Sequence, residues 1–148
     1  MVGTVQDAYL ESRVLSATPL ELVRILYRLA IERLREAKAH QAAGDVTARS
    51  KSLTKTSEIL AELTVSLDMA RGGALSARLA ALYQYMQSRL LEANFRQDMA
   101  LVDEVIGLLS TLLEAWQQIE VPHPAAPVAE SAAFNAAYPH RVSLDLSV

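Results

Sequence analysis

The side chains able to do chemistry are few. The chain has three histidines, His40, His123 and His140, no cysteine, and 17 Asp and Glu. A carboxylate-bridged metal pair inside helices needs two Glu-x-x-His pairs and two further inward Glu residues, and the chain does not have two such pairs. His40 follows Glu36 by four residues at the end of a helical stretch, where an imidazole interacts well with the helix dipole. Gly72-Gly73 is not followed by the Lys-Ser/Thr of a phosphate loop. Glu32, Glu36, Glu58, Glu62, Asp103 and Glu104 are spread along what reads as helix exteriors. Pairs such as Lys55 with Glu58, or Glu32 with Arg35, are worth only tenths of a kcal/mol. No nucleophile stands with a base and an orienting partner. The expectation is a protein without catalytic, cofactor-binding or metal residues, whose chemistry is that of apolar contact.

Composition agrees. The 148 residues include 24 Ala and 23 Leu, with aromatics at 5%, a helix-forming mixture. The formal charge is −3 and its signs are interspersed, which argues against a nucleic-acid partner. No stretch approaches the roughly 18–20 apolar residues that span a bilayer, and Met1 to Gln6 lacks the basic and apolar regions of a secretory signal. A cytoplasmic helical protein without membrane insertion is expected.

Proline places the elements. Pro19 stands alone; Pro122, Pro124, Pro127 and Pro139 fall near the other end, and none lies between. Thr18-Pro19-Leu20-Glu21 carries a capping residue, a proline at the first helical position and the glutamate of a capping box. The spacing predicts helices over about 19–43, 46–70, 75–93 and 98–119. Gly44 and Gly72-Gly73 act as stops, Asp45 and Asp98 as N-caps, and Asn94 as a turn residue. Rods of similar length joined by short loops make an antiparallel up-down-up-down four-helix bundle. Residues 1–17 precede it as a short N-terminal segment. Residues 121–148 follow as a Pro/Ala-rich tail: Pro122, Pro124 and Pro127 make a semi-rigid extended linker, and the end beyond it, with Phe134, Tyr138, Val142, Leu144, Leu146 and Val148, is either flexible or an apolar end that folds back on the bundle or docks another protein.

The apolar stripes are Leu53, Thr56, Leu60, Leu63, Leu67; Leu75, Leu79, Leu82, Met86, Leu90; and Val102, Val105, Leu109, Leu112, Trp116. Each buried Leu or Ile contributes roughly 1.5–3 kcal/mol against ordering entropy. Helix one carries Leu22, Val23, Ile25, Leu26, Tyr27, Leu29, Ala30, Ile31 and Leu34, beside a charged edge of Glu21, Arg24, Arg28, Glu32 and Arg35. Helix four adds Leu101, Ile106, Leu108 and Leu113 to its stripe. That exceeds the three or four apolar positions per two turns of a surface helix, so something must cover the excess. Tyr83 and Tyr85 diverge by about 200° on a helix; Tyr83 is expected in the core and Tyr85 on a groove wall or in an interhelical hydrogen bond. Gly107 either permits close helix contact or leaves a recess.

Several runs resemble the flagellin export chaperones, the FliS family. Ala17-Thr18-Pro19-Leu20-Glu21-Leu22-Val23-Arg24-Ile25-Leu26-Tyr27 is similar to the family's first helix, and Asp7-Ala8-Tyr9 to its N-terminal segment. Ile59-Leu60-Ala61-Glu62-Leu63 with Leu67-Asp68 resembles the second helix. Leu79-Ala80-Ala81-Leu82-Tyr83-Gln84-Tyr85-Met86 resembles the third, with Leu90 to Asn94 and Asp98 its junction to the fourth. Val105, Leu108, Leu109, Leu112 and Trp116 match the closing helix. The likeness covers about residues 5–119; the tail departs from it.

The resemblance implies a cytosolic chaperone that binds the disordered C-terminal region of flagellin. It would prevent premature polymerisation and keep its client competent for the flagellar type III export apparatus. It also implies an N-terminal segment that covers the binding surface and vacates it. Candidate cap and flagellin-binding residues are Tyr9, Leu10, Leu75, Leu79, Leu82, Tyr83, Tyr85, Met86, Ile106 and Leu113. Such a chaperone is expected alone as a monomer or weak homodimer. The rival reading is a helical adaptor that self-associates through its surplus apolar faces.

Overall fold

The computed structural model describes residues 7, 8, 10, 11 and 17–119. Four helices dominate: α1 (Pro19–Ala42), α2 (Val46–Val65), α3 (Met69–Arg96) and α4 (Met99–Gln118). Each helix packs on its neighbours in a closed ring, α1 against α2 and α4, α3 against α2 and α4. With two- to three-residue connections this is the up-down-up-down bundle expected from the spacing.

The helix starts follow from capping. Thr18 Oγ1 accepts from the Glu21 N–H at 3.1 Å while Glu21 Oε1 accepts from the Thr18 N–H at 3.0 Å, so the capping box forms in both directions. Asp45, Asp68 and Asp98 cap α2, α3 and α4, each satisfying N–H groups the first turn leaves open.

The second boundary differs from the sequence expectation. α2 ends at Val65, not near residue 70, and α3 begins at Met69, not at Leu75. Asp68 accepts from both Ala70 N and Arg71 N at 3.0 Å, so it starts a helix before the glycines are reached. Gly72-Gly73 is therefore a kink inside α3 rather than a stop. Gly73 takes φ 55°, ψ −131°, which a side chain disfavours. A Cβ on Gly72 would lie 1.7 Å from Ser76 Oγ.

The third junction also shifts. α3 continues through Arg96, and Gln97 alone turns left-handed at φ 58°. Asn94 is thus a helical residue and not a turn residue. Its Oδ1 accepts from Arg49 Nε at 3.0 Å and from Ser50 Oγ at 3.1 Å on α2. Arg49 is buried and also donates to Gln41 Oε1 of α1 at 2.6 Å, tying three helices together at one end. At the other end Arg24 donates to the carbonyls of Trp116 (2.7 Å) and Ile119, closing the end of α4.

The core runs the length of the bundle. Leu53, Thr56, Leu60, Leu63 and Leu67 are buried as the spacing required. On α3 the seam is Ser76, Leu79, Tyr83, Met86, Leu90 and Ala93. This phase puts Tyr83 inward and leaves Leu75 exposed to solvent. On α4, Val102, Val105, Leu109 and Trp116 are buried and Leu112 is half-buried.

Candidate functional site

The expected site residues separate into three environments. Leu79, Tyr83 and Met86 lie inside the core. The Tyr83 and Tyr27 hydroxyls are 2.6 Å apart, with the rings edge-to-face at 6.4 Å. The Trp116 ring lies 6.3 Å from Tyr27. Burial pushes the Tyr27 phenol above its ordinary range, partly offset by hydrogen bonds from Tyr83 and Trp116. The tyrosine pair and the tryptophan thereby link α1, α3 and α4 at the bundle centre. These three expected residues shape the surface from beneath and offer none of their own.

Leu82, Ile106 and Leu113 are half-buried and packed against the core. Leu75 and Tyr85 are exposed. Leu10 is a half-buried helical residue, and Tyr9 lies outside the described residues.

Helical spacing puts Leu75, Leu82, Tyr85 and Arg89 on one stripe of α3, and Leu101, Glu104, Leu108 and Leu112 on one stripe of α4. The two stripes meet, because Glu104 is reached from both Tyr85 and Arg89. The Tyr85 O–H donates to Glu104 Oε2, and Arg89 Nε donates to Glu104 Oε1 at 2.9 Å. The Arg89 guanidinium also sits 5.6 Å from the Tyr85 ring centroid and pairs with Glu92 at 3.2 Å. The hydrogen bond to Glu104 holds the Tyr85 phenol above its ordinary range. The same bond, then that from Arg89, holds the Glu104 carboxyl below its range.

The α3–α4 face is therefore a shallow apolar trough. Half-buried Leu82, Leu101, Leu108 and Leu112 line it, Leu75 stands at one end, and the Tyr85–Glu104–Arg89 clasp crosses it. The polar groups of the clasp satisfy one another. Ile106 and Leu113 lie on the other flank of α4, toward α1, where Asp103 accepts from Lys38 Nζ at 2.6 Å. The Gly107 Cβ direction meets nothing within 4 Å; the residue is exposed and mediates no close helix contact.

Sequence reasoning missed Arg89 and Glu104. Each is an ordinary helix-exterior charge by its own neighbours, and their pairing needs the register between α3 and α4. It also missed a second apolar patch, Leu91 and Phe95, which are 74% and 87% exposed at the opposite end of α3. Their i, i+4 spacing was the available signal.

Among the described residues, no group of three His, Cys, Asp or Glu converges on a point that could hold a metal ion. Among the same residues, no helix is long and apolar enough to cross a membrane.

A family model described as flagellar protein FliS matches residues 1–123. The flagellar secretion chaperone FliS of Salmonella typhimurium is 41% identical over 122 residues, spanning 82% of this chain and 88% of that protein. The flagellar secretion chaperone FliSB of Pseudomonas aeruginosa is 34% identical over 114 residues, 77% and 90% of the two chains. The FliS chaperone of Bacillus subtilis is 34% identical over 111 residues, 75% and 82%. The family model spans all four helices and ends at residue 123, so the bundle is what this chain shares with the family: it belongs to the FliS family of flagellar secretion chaperones.

Proposed function

We propose that this protein is a cytosolic export chaperone that holds the C-terminal segment of flagellin on its α3–α4 trough. The observation that carries the reading is the half-buried stripe of Leu82, Leu101, Leu108 and Leu112 with exposed Leu75 and Tyr85 beside it. A client that is disordered when free must recover its ordering entropy through a long apolar contact. A trough between two helices accepts an amphipathic helix through anchors at i, i+3, i+4 and i+7. Occupying the client's polymerisation surface prevents premature assembly and delivers it to the flagellar type III export apparatus. No catalytic group is needed for that work.

The N-terminal segment is a removable cover over the outer side of α1, which forms a second part of the client's binding surface. Leu22 and Ile25 support this: they are 2% and 5% exposed on the side of α1 opposite Tyr27, yet stand outside the central core cluster. Something other than the four-helix core shields them, and Leu10 is half-buried.

Size exclusion of the full chain with a flagellin C-terminal peptide tests the reading. A defined complex is expected, weakened about ten-fold or more by Leu108→Ser and by Tyr85→Ala, since each loses roughly 1.4 kcal/mol or more of contact. A stable oligomer that ignores the peptide would instead establish the self-associating adaptor.

A further inference from the structure

Four large apolar side chains are exposed at one end of the bundle. Val65 closes α2, Met69 and Leu75 open α3, and Ile119 follows α4; their exposures are 58%, 53%, 58% and 42%. Antiparallel packing puts the end of α2, the start of α3 and the end of α4 together, and the Arg24 bonds to Trp116 and Ile119 fix the start of α1 there too. An isolated exposed Leu means little, whereas several gathered on one rim mark a contact surface. Only Leu75 belongs to the trough described above.

We infer that the occupant of this rim is the chain's own C-terminal segment, residues 134–148. Three observations single it out. First, the segment departs from Ile119, itself part of the rim. Fourteen residues lie between Ile119 and Phe134, and a mixed proline-rich and flexible linker of that length spans about 20–25 Å. The 20 residues of α4 cover about 30 Å, so the near rim lies within reach and the Leu91–Phe95 patch at the far end is disfavoured. Second, Val142, Leu144, Leu146 and Val148 alternate with Ser143, Asp145 and Ser147. An extended chain with that period puts four apolar side chains on one face and its polar ones on the other. Third, the family match stops at residue 123, so the segment lies outside the stretch that the family model accounts for.

Tethering makes even weak contact effective, because the docking is intramolecular. Leu75 is shared between rim and trough.

The absence of cysteine gives a clean experiment on the full chain. Ser147→Cys is labelled with a nitroxide, and the methyl signals of Val65, Met69, Leu75 and Ile119 are read by NMR without any flagellin peptide. Selective loss of those four signals is expected, relative to Val46 and Leu91 at the opposite end. Leu144→Ser with Leu146→Ser in the labelled chain should restore them to the level of Val46 and Leu91. Equal loss at both ends, or greater loss at Val46 and Leu91, overturns the inference. So does loss that appears only between a spin-labelled chain and a separate isotope-labelled one, since the occupant is then a second copy. If the flagellin peptide fails to bind, the preceding proposal falls, while these intensities still decide the fate of the tail.

Discussion

Tyr83 and Tyr85 show what a sequence says about single residues. Two positions apart on a helix they point in opposing directions, and the structure buries one against Tyr27 while the other reaches Glu104. That contrast was legible because it depends only on helical period. The clasp that Tyr85 joins was not, because Glu104 lies 19 residues away on another helix and no local pattern carries that register. The clasp has a testable electrostatic signature. Tyr85 is held above the ordinary tyrosine range chiefly by its bond to Glu104. A raised folded-state value means that this contribution to stability is complete below the ordinary value near 10 and is lost as pH rises through the raised one. For Glu104 the sign is opposite: its folded-state value is depressed, so its contribution is present above the ordinary carboxylate range and lost as pH falls through the lowered value. The clasp should thus be intact across neutral pH and fail at both extremes. Glu104→Gln is expected to return the Tyr85 titration to the ordinary tyrosine range, followed by NMR of ring-labelled tyrosine with Tyr85→Phe assigning the signal. An unmoved Tyr85 titration in Glu104→Gln would show that the two side chains do not pair in solution.

Helices are specified by how they begin and end, and here caps outrank glycines. Thr18, Asp45 and Asp98 were legible as starts because each precedes a stretch of helical period without a competing signal. Asp68 was hidden inside what reads as the end of the preceding helix, and the Gly72-Gly73 pair beside it looked like the stronger punctuation. The physical order is the reverse. Two N–H groups bonded to one carboxylate nucleate α3, and the glycines then absorb the bend that fits its first turn to the bundle. The same reasoning separates two glycines by the sign of one substitution. Gly73 has open space around its Cβ direction but a φ of 55° with ψ −131°. Gly73→Ala should therefore destabilise by about 1–3 kcal/mol through backbone strain alone. Gly107 has equally open space inside the regular helix α4, and Gly107→Ala should stabilise by up to about 1 kcal/mol. Urea unfolding of both variants measures the pair. Equal and small effects would mean that Gly73 does not hold the kinked conformation.

At the scale of the molecule, the architecture was readable because loops of two or three residues leave helices little choice of neighbour. The functional face was less so. Surplus apolar residues on α1 and α4 announced that some cover was needed, but the same count could not say which flank stayed open. Packing settles where they lie: Leu22 and Ile25 of α1 are shielded, and Leu101, Leu108 and Leu112 of α4 are only half-buried. The proposed cover and the core must then be energetically separable, because a cover that also held the bundle together could not leave when a client arrived. The core satisfies that condition. Tyr27, Leu34, Leu60, Leu63, Tyr83, Met86, Leu90 and Leu109 are fully buried and form one cluster, with every helix end closed by its own caps or by Arg24. Removing residues 1–16 is therefore expected to leave helix content and a cooperative thermal transition intact. The midpoint should fall, since Leu22 and Ile25 then face water at a cost of at most about 1.5–3 kcal/mol each. Affinity for a flagellin C-terminal peptide, read by calorimetry, should be equal to or greater than that of the full chain, because the client no longer competes with a tethered occupant. A truncated protein that fails to fold would make the segment a structural part of the bundle. One that folds but binds several-fold more weakly would make it a direct contributor to the client site, and either result removes the displaceable cover.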